Sequence, residues 1–113
     1  MTLTDLAARL DLKLFTAGIP LDKPVLGGYA SDLLSDVIGH SRKGDLWVTM
    51  QVHPNIVAVA VLKDLAGIVL VNGREPAAET LEQAGKEGIP VLGTRFGAFE
   101  LVGRLYGLGV KGS

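Results

Sequence analysis

The sequence predicts a single α/β domain, one open and mostly parallel sheet of four or five strands with helices on its faces. Three observations lead there. A short β-leaning run, a glycine or polar turn and an apolar-periodic stretch of two or three helical turns follow one another four times between Val25 and Tyr106. The connections are short, and parallel strands need helical crossovers of about this length. With 113 residues, 48% of them hydrophobic and 20% charged, the chain suits one domain over 1–113 with one core and is too apolar for intrinsic disorder.

Ahead of the four units, Thr4 is the expected cap of a short helix carrying Leu6, Ala7 and Leu10 on one side, and Lys13 to Thr16 reads as a short strand. The first unit is a strand over Val25 to Tyr29 and a helix over Ser31 to Gly39, with Ser31 bonding an early helical amide and Leu33, Leu34, Val37 and Ile38 as the buried stripe. In the second, a strand over Asp45 to Val52 holds Leu46, Trp47, Val48 and Met50, and a helix over Pro54 to Leu65 opens on proline, whose missing donor has no partner there anyway. Gly67 to Val71, the turn Asn72-Gly73-Arg74-Glu75 and a helix from Pro76 to about Lys86 form the third. The fourth joins Ile89 to Thr94 with a helix from Phe96 to about Tyr106, where Phe96, Phe99, Val102, Leu105 and Tyr106 share a side and Gly97 and Gly103 read as close-packing positions. Residues Gly107 to Ser113 are small and polar and are expected to fray.

Composition excludes several functions. Eleven Lys plus Arg against 12 Asp plus Glu give a net charge of -1, with the basic residues scattered, so no cationic field favours a nucleic acid. The absence of cysteine removes disulfides, thiol nucleophiles and thiolate metal sites, and agrees with a cytoplasmic location. Asp5, Arg9, Asp11 and Lys13 interrupt the N-terminal apolar pattern, and the longest uncharged apolar run, Ile56 to Leu62, falls far short of the roughly 20 residues of a membrane span, so no membrane association is expected.

In open α/β sheets ligands sit beyond the carboxyl ends of the strands, which directs attention to the turns at Tyr29 to Asp32, Gln51 to Asn55, Asn72 to Glu75 and Thr94 to Phe96. Gly27-Gly28-Tyr29-Ala30-Ser31 leads a strand into a helix, where exposed amides hold a carboxylate or phosphate, or where glycine simply permits the turn. G-x-G-x-x-G spacing falls only at Gly107 to Gly112, after the last expected helix and not between a strand and a helix, and GxxxxGK[ST] does not occur, so nucleotide hydrolysis has no support. His53 forms a small polar pocket with Gln51, Asn55 and Arg74, or is a rim residue, since no carboxylate lies near it in sequence to orient it as a base. Asp32 and Asp36 lie one helical turn apart but make too weak a pair for a metal. The candidate ligand contacts are Gly27, Gly28, Tyr29, Ser31, His53, Asn55, Asn72, Gly73, Arg74 and Thr94, with no metal or cofactor expected. Ile56 to Leu62 has no polar face, and a helix of that kind needs cover all round. A homodimer with this helix near the interface supplies it, as does a roof of the chain's own neighbours.

The succession Gly27-Gly28-Tyr29-Ala30-Ser31-Asp32, Gly44-Asp45-Leu46-Trp47-Val48-Thr49, Asn55-Ile56-Val57-Ala58-Val59-Ala60, Asn72-Gly73-Arg74-Glu75-Pro76 and Gly88-Ile89-Pro90-Val91-Leu92-Gly93-Thr94 resembles the DRTGG domain family, in particular its small stand-alone members. Related modules occur in phosphotransacetylases and CBS-domain pyrophosphatases and are similar to the N-terminal domain of HPr kinase/phosphorylase. The residues that name the family fall near Val52 and His53 and at Val71, Asn72 and Gly73, so Gly73 is the one clearly kept. The resemblance implies a non-catalytic, dimeric regulatory or assembly module, with a small anionic ligand or nucleotide and a protein partner as further expectations. The alternative is a small enzyme using His53, Asn55 and Arg74 on a phosphorylated or carboxylate substrate.

Overall fold

The structure is a computed structural model that describes residues 1–112; Ser113, the end of the expected fraying tail, lies outside them. The elements are α1 (Leu3–Leu10), β1 (Lys13–Leu14), β2 (Gly27–Ala30), α2 (Leu34–His40), β3 (Asp45–Thr49), α3 (Asn55–Lys63), β4 (Gly67–Leu70), α4 (Ala78–Glu87), β5 (Val91–Gly93) and α5 (Ala98–Gly107). One five-stranded sheet has the order β1-β5-β4-β3-β2. Strands β2 to β5 are parallel, and β1 runs antiparallel along β5, pairing Lys13 with Gly93. The predicted α/β architecture is therefore the observed one.

The sheet sorts its side chains with period two. Leu46, Val48, Val69 and Leu92 enter one core with Leu3, Leu6 and Leu10 of α1 and Leu101 and Leu105 of α5. Trp47, Ile68, Leu70 and Val91 enter another with Val37 of α2, Ile56, Val57, Val59 and Ala60 of α3 and Ala84 of α4. Helices α1 and α5 thus cover one face and α2, α3 and α4 the other. Burial on both sides explains why the central strands read as continuous apolar runs, every position of β3 and β4 being buried. Each fully buried Val, Leu or Ile side chain stabilises by roughly 1.5–3 kcal/mol.

Local details differ from expectation for physical reasons. The cap of α1 is Thr2: its hydroxyl accepts the Asp5 N–H at 3.2 Å while the Asp5 carboxylate accepts the Thr2 N–H at 2.9 Å. Thr4 lies inside the helix and donates to the Leu21 carbonyl, fastening α1 to the loop before β2. Helix α2 begins at Leu34, and Ser31 accepts the Leu33 N–H at 3.2 Å just outside it. Of its expected stripe only Val37 is buried, because a helix of 7 residues beside the edge strand β2 turns little surface to the sheet. Strand β3 stops at Thr49, and Met50 turns outward with its N–H on the Asp32 carboxylate.

Helix α5 keeps only Leu105 of its expected face in the core, with Phe96 packed against it from just ahead of the helix. Leu101 and Leu105 meet the core, whereas Phe99 is 96% exposed and Val102 and Tyr106 also face outward. The helix carries two apolar stripes, and spacing alone did not rank them. Gly97 is its N-cap rather than an interior residue, and a Cβ at Gly103 would meet open space, so Gly103 is no close-packing position. The tail does not fray at Val110, which is buried, and the Lys111 carbonyl accepts the Gly28 N–H at 2.9 Å. Helix α3 finds most of its cover within the chain, on the sheet and between α2 and α4, leaving Ala58, Val61 and Leu62 outside. Among the described residues no helix is long and apolar enough to cross a membrane.

Candidate functional site

The topology selects one place on the sheet. Helix α4 leaves the end of β4 toward one face, and α5 leaves the end of β5 toward the other. Where neighbouring parallel strands send their helices to opposite faces, the loops diverge and a crevice opens beyond the carboxyl ends. Here the crevice continues onto β1 as a cleft of about 400 Å³. Its lining includes Gly73, Arg74 and Glu75 from the β4–α4 loop, Thr94, Arg95 and Phe96 from the β5–α5 loop, and Asp11, Lys13 and Phe15 from the first strand and its approach.

Both loops are held by the backbone. Asn72 and Gly73 take positive φ of 60° and 67°, and the Arg74 N–H returns to the Val71 carbonyl at 3.1 Å, a turn that Asn-Gly favours because both residues accept left-handed backbone. The Asn72 N–H then donates to Phe96 O at 2.8 Å and the Gly73 N–H to Thr94 O at 2.9 Å. These two bonds fasten the loops to each other and set Arg74 and Arg95 next to the tie. Across the cleft the Phe15 ring lies on the backbone of Gly93, where a Cβ would come within 2.5 Å of it.

Three cations, Lys13, Arg74 and Arg95, face two carboxylates, Asp11 and Glu75. Lys13 Nζ stands 3.6 Å from Glu75 Oε1 and 5.1 Å from the Phe15 ring centre. Among the described residues neither the Arg74 nor the Arg95 guanidinium has an ion pair or hydrogen bond. Phe96 carries the Arg104 guanidinium at 4.3 Å from its ring centre, and Arg104 is in turn bonded to Glu100 at 2.8 Å.

The other candidate residues lie elsewhere. Gly27 and Gly28 open β2 instead of ending it, opposite Asp45 and Leu46 at the start of β3, so they sit at the far end of the sheet from the crevice. The Gly28 amide is already bonded to the C-terminal tail. Tyr29 donates its hydroxyl to Asp36 at 2.7 Å. That bond, helped by Ser31 and His40, holds the Asp36 carboxyl below the usual aspartate value, and the same contact raises the Tyr29 phenol. Asp32 accepts the Thr49 hydroxyl at 2.8 Å and the Met50 N–H at 2.7 Å, while its carbonyl accepts Gln51 Nε2 at 3.0 Å. Both aspartates are thus engaged within the chain. His53 is exposed, and Asn55 lines a separate groove between α3 and α4 with Glu79, Glu82 and Glu87. Arg74 and Asn55 line different clefts and His53 lines neither, so these clefts do not supply the convergence that the small-enzyme alternative requires.

The cleft brings together Gly73, Arg74 and Thr94 from the sequence reading, with Asn72 shaping the turn. Lys13, Phe15, Arg95 and Phe96 were missed. Arg95 and Phe96 stood inside a turn already named, but Lys13 and Phe15 enter only through the antiparallel pairing of β1 with β5, which no local pattern announces.

No protein-family model matches the sequence, and no curated protein matches it. A solved structure with a similar fold contains the CBS and DRTGG domains of the regulatory region of Clostridium perfringens pyrophosphatase, complexed with its activator diadenosine tetraphosphate. The likeness has a TM-score of 0.68 at 16% identity and covers 89% of this chain and 44% of that one, so this chain spans less than half the length of its relative. The likeness is one of fold, to a chain that contains a DRTGG domain of the kind the sequence resembles.

Proposed function

We propose that this chain is a cytoplasmic, non-catalytic regulatory or assembly module that homodimerises and holds a small anionic ligand at the carboxyl ends of β4 and β5. The carrying observation is the cleft, in which Lys13 and two guanidinium groups unpaired among the described residues stand around Gly73 and Thr94 at the point where the loops diverge. The fold adds support, since it resembles a regulatory region whose activator is a polyphosphate. Charge-assisted hydrogen bonds from arginine forks suit oxyanions.

Thermal unfolding with phosphate, AMP, ATP, diadenosine tetraphosphate and acetate tests the ligand. Mass action gives about 2.7 kcal/mol of stabilisation at a hundredfold excess over Kd. A flat melting temperature across all of them defeats the ligand reading. For the dimer, Val61 and Leu62 are 44% and 67% exposed on α3 and offer a contact surface. Light scattering should find a dimer that Leu62→Asp dissociates without unfolding; a monomeric parent chain overturns the dimer.

A further inference from the structure

We propose that the β4/β5 cleft takes a phosphate monoester, and that the ester's phosphate displaces Glu75 from Lys13 as it enters; this rests on the ligand reading above. The class of ligand follows from the lining. Lys13, Arg74 and Arg95 come from three separate segments, a strand and two loops, so they address an anion from different sides. A phosphate monoester presents three terminal oxygens and up to two charges, whereas a carboxylate presents two oxygens and one charge. The volume of about 400 Å³ exceeds what an inorganic ion needs, and the remainder is lined by Leu10, Phe15 and Phe96, which suits an apolar or aromatic ester body.

Glu75 is the resident competitor. It sits between Arg74 and the helix α4 approach, and its carboxylate reaches across to Lys13 at 3.6 Å, joining the β4–α4 loop to β1. Both side chains are well exposed, at 67% and 72%, and so solvated an ion pair holds by a few-fold in an equilibrium at most. A doubly charged phosphate that also engages the two arginines outcompetes it. Glu75 therefore lowers the affinity of the cleft for singly charged or weakly bound anions while leaving it open to a dianion.

Calorimetric titration of phenyl phosphate and inorganic phosphate into the full chain at low salt tests this. Glu75→Gln should tighten phenyl phosphate binding by about three- to fivefold. In the Lys13→Gln background that gain should vanish, since Glu75 then has no partner to surrender. An equal gain in both backgrounds, or none in either, overturns the displacement. Inorganic phosphate binding as tightly as phenyl phosphate overturns the ester assignment. If no variant binds either probe while all remain folded by circular dichroism, the ligand reading itself fails, an outcome distinct from binding without the Glu75 effect.

Discussion

The carboxyl ends of β2 and β3 and those of β4 and β5 are made of similar material, short polar loops between parallel strands and helices, yet they finish in opposite conditions. At β2 and β3 the helices α2 and α3 leave toward the same face, the loops stay close, and Asp32 closes them by accepting Thr49 Oγ1 and the Met50 N–H. Trp47 adds its indole N–H to the Ser31 carbonyl at 2.8 Å. Polar groups there are answered by the chain. At β4 and β5 the helices part to opposite faces, two backbone bonds tie the loops, and the arginine side chains are left to the cleft. Helix direction after the strand thus separates an end whose polar groups are spent on the fold from one whose cationic side chains line a cleft.

The comparison breaks most sharply at Asp32. Asp32→Ala removes a charged acceptor from a hydroxyl and an amide and should cost about 2 kcal/mol in denaturant unfolding, while anion binding at the other end stays within twofold. Asp32→Asn, which keeps an acceptor, should recover part of the loss. Equal damage to binding would show that the two ends are coupled.

The complementary change is Arg74→Ala with Arg95→Ala. It should weaken phosphate ester binding by about tenfold, or ~1.4 kcal/mol, and shift stability by less than about 0.5 kcal/mol, because both side chains lie on the surface without partners among the described residues. A large loss of stability would place the arginines in the fold rather than the site.

The smallest effect is expected at Tyr29. The Asp36 carboxyl is held below its ordinary value of 3.8, so its contribution is present above that pH and is lost as pH falls through the lower folded value. Tyr29 is raised above 10.0, so its contribution is present below that pH and is lost as pH rises through the higher folded value. Tyr29→Phe should raise the Asp36 pKa in an NMR titration and trim stability between those limits, with ligand binding unchanged. An Asp36 titration that does not move would assign its shift to Ser31 and His40 instead.

Much of the architecture was legible in the residues, because periodicity and turn chemistry are local. The apolar runs of β3 to β5, the Asn72-Gly73 turn and the glycine that ends α4, Gly88 with φ of 71°, each follow from side-chain or backbone sterics within a few positions. Faces were less legible. In α5 only packing against the core brought Leu101 in beside Leu105 and left Phe99, Val102 and Tyr106 of the expected side outside. The glycine pair at Gly27 and Gly28 looked like a strand-to-helix turn, but pairing with β3 and with the C-terminal tail put it at the start of its strand.

The sequence by itself determined that the chain forms a mostly parallel α/β sheet, the order of its strands and helices along the chain, and which turns carry polar groups at strand ends. Tertiary structure alone decided which of those turns line a cleft. That choice depends on α4 and α5 leaving to opposite faces and on β1 returning antiparallel beside β5 to add Lys13 and Phe15. Both are long-range pairings, set by the burial of whole faces, and no window of neighbouring residues contains that information.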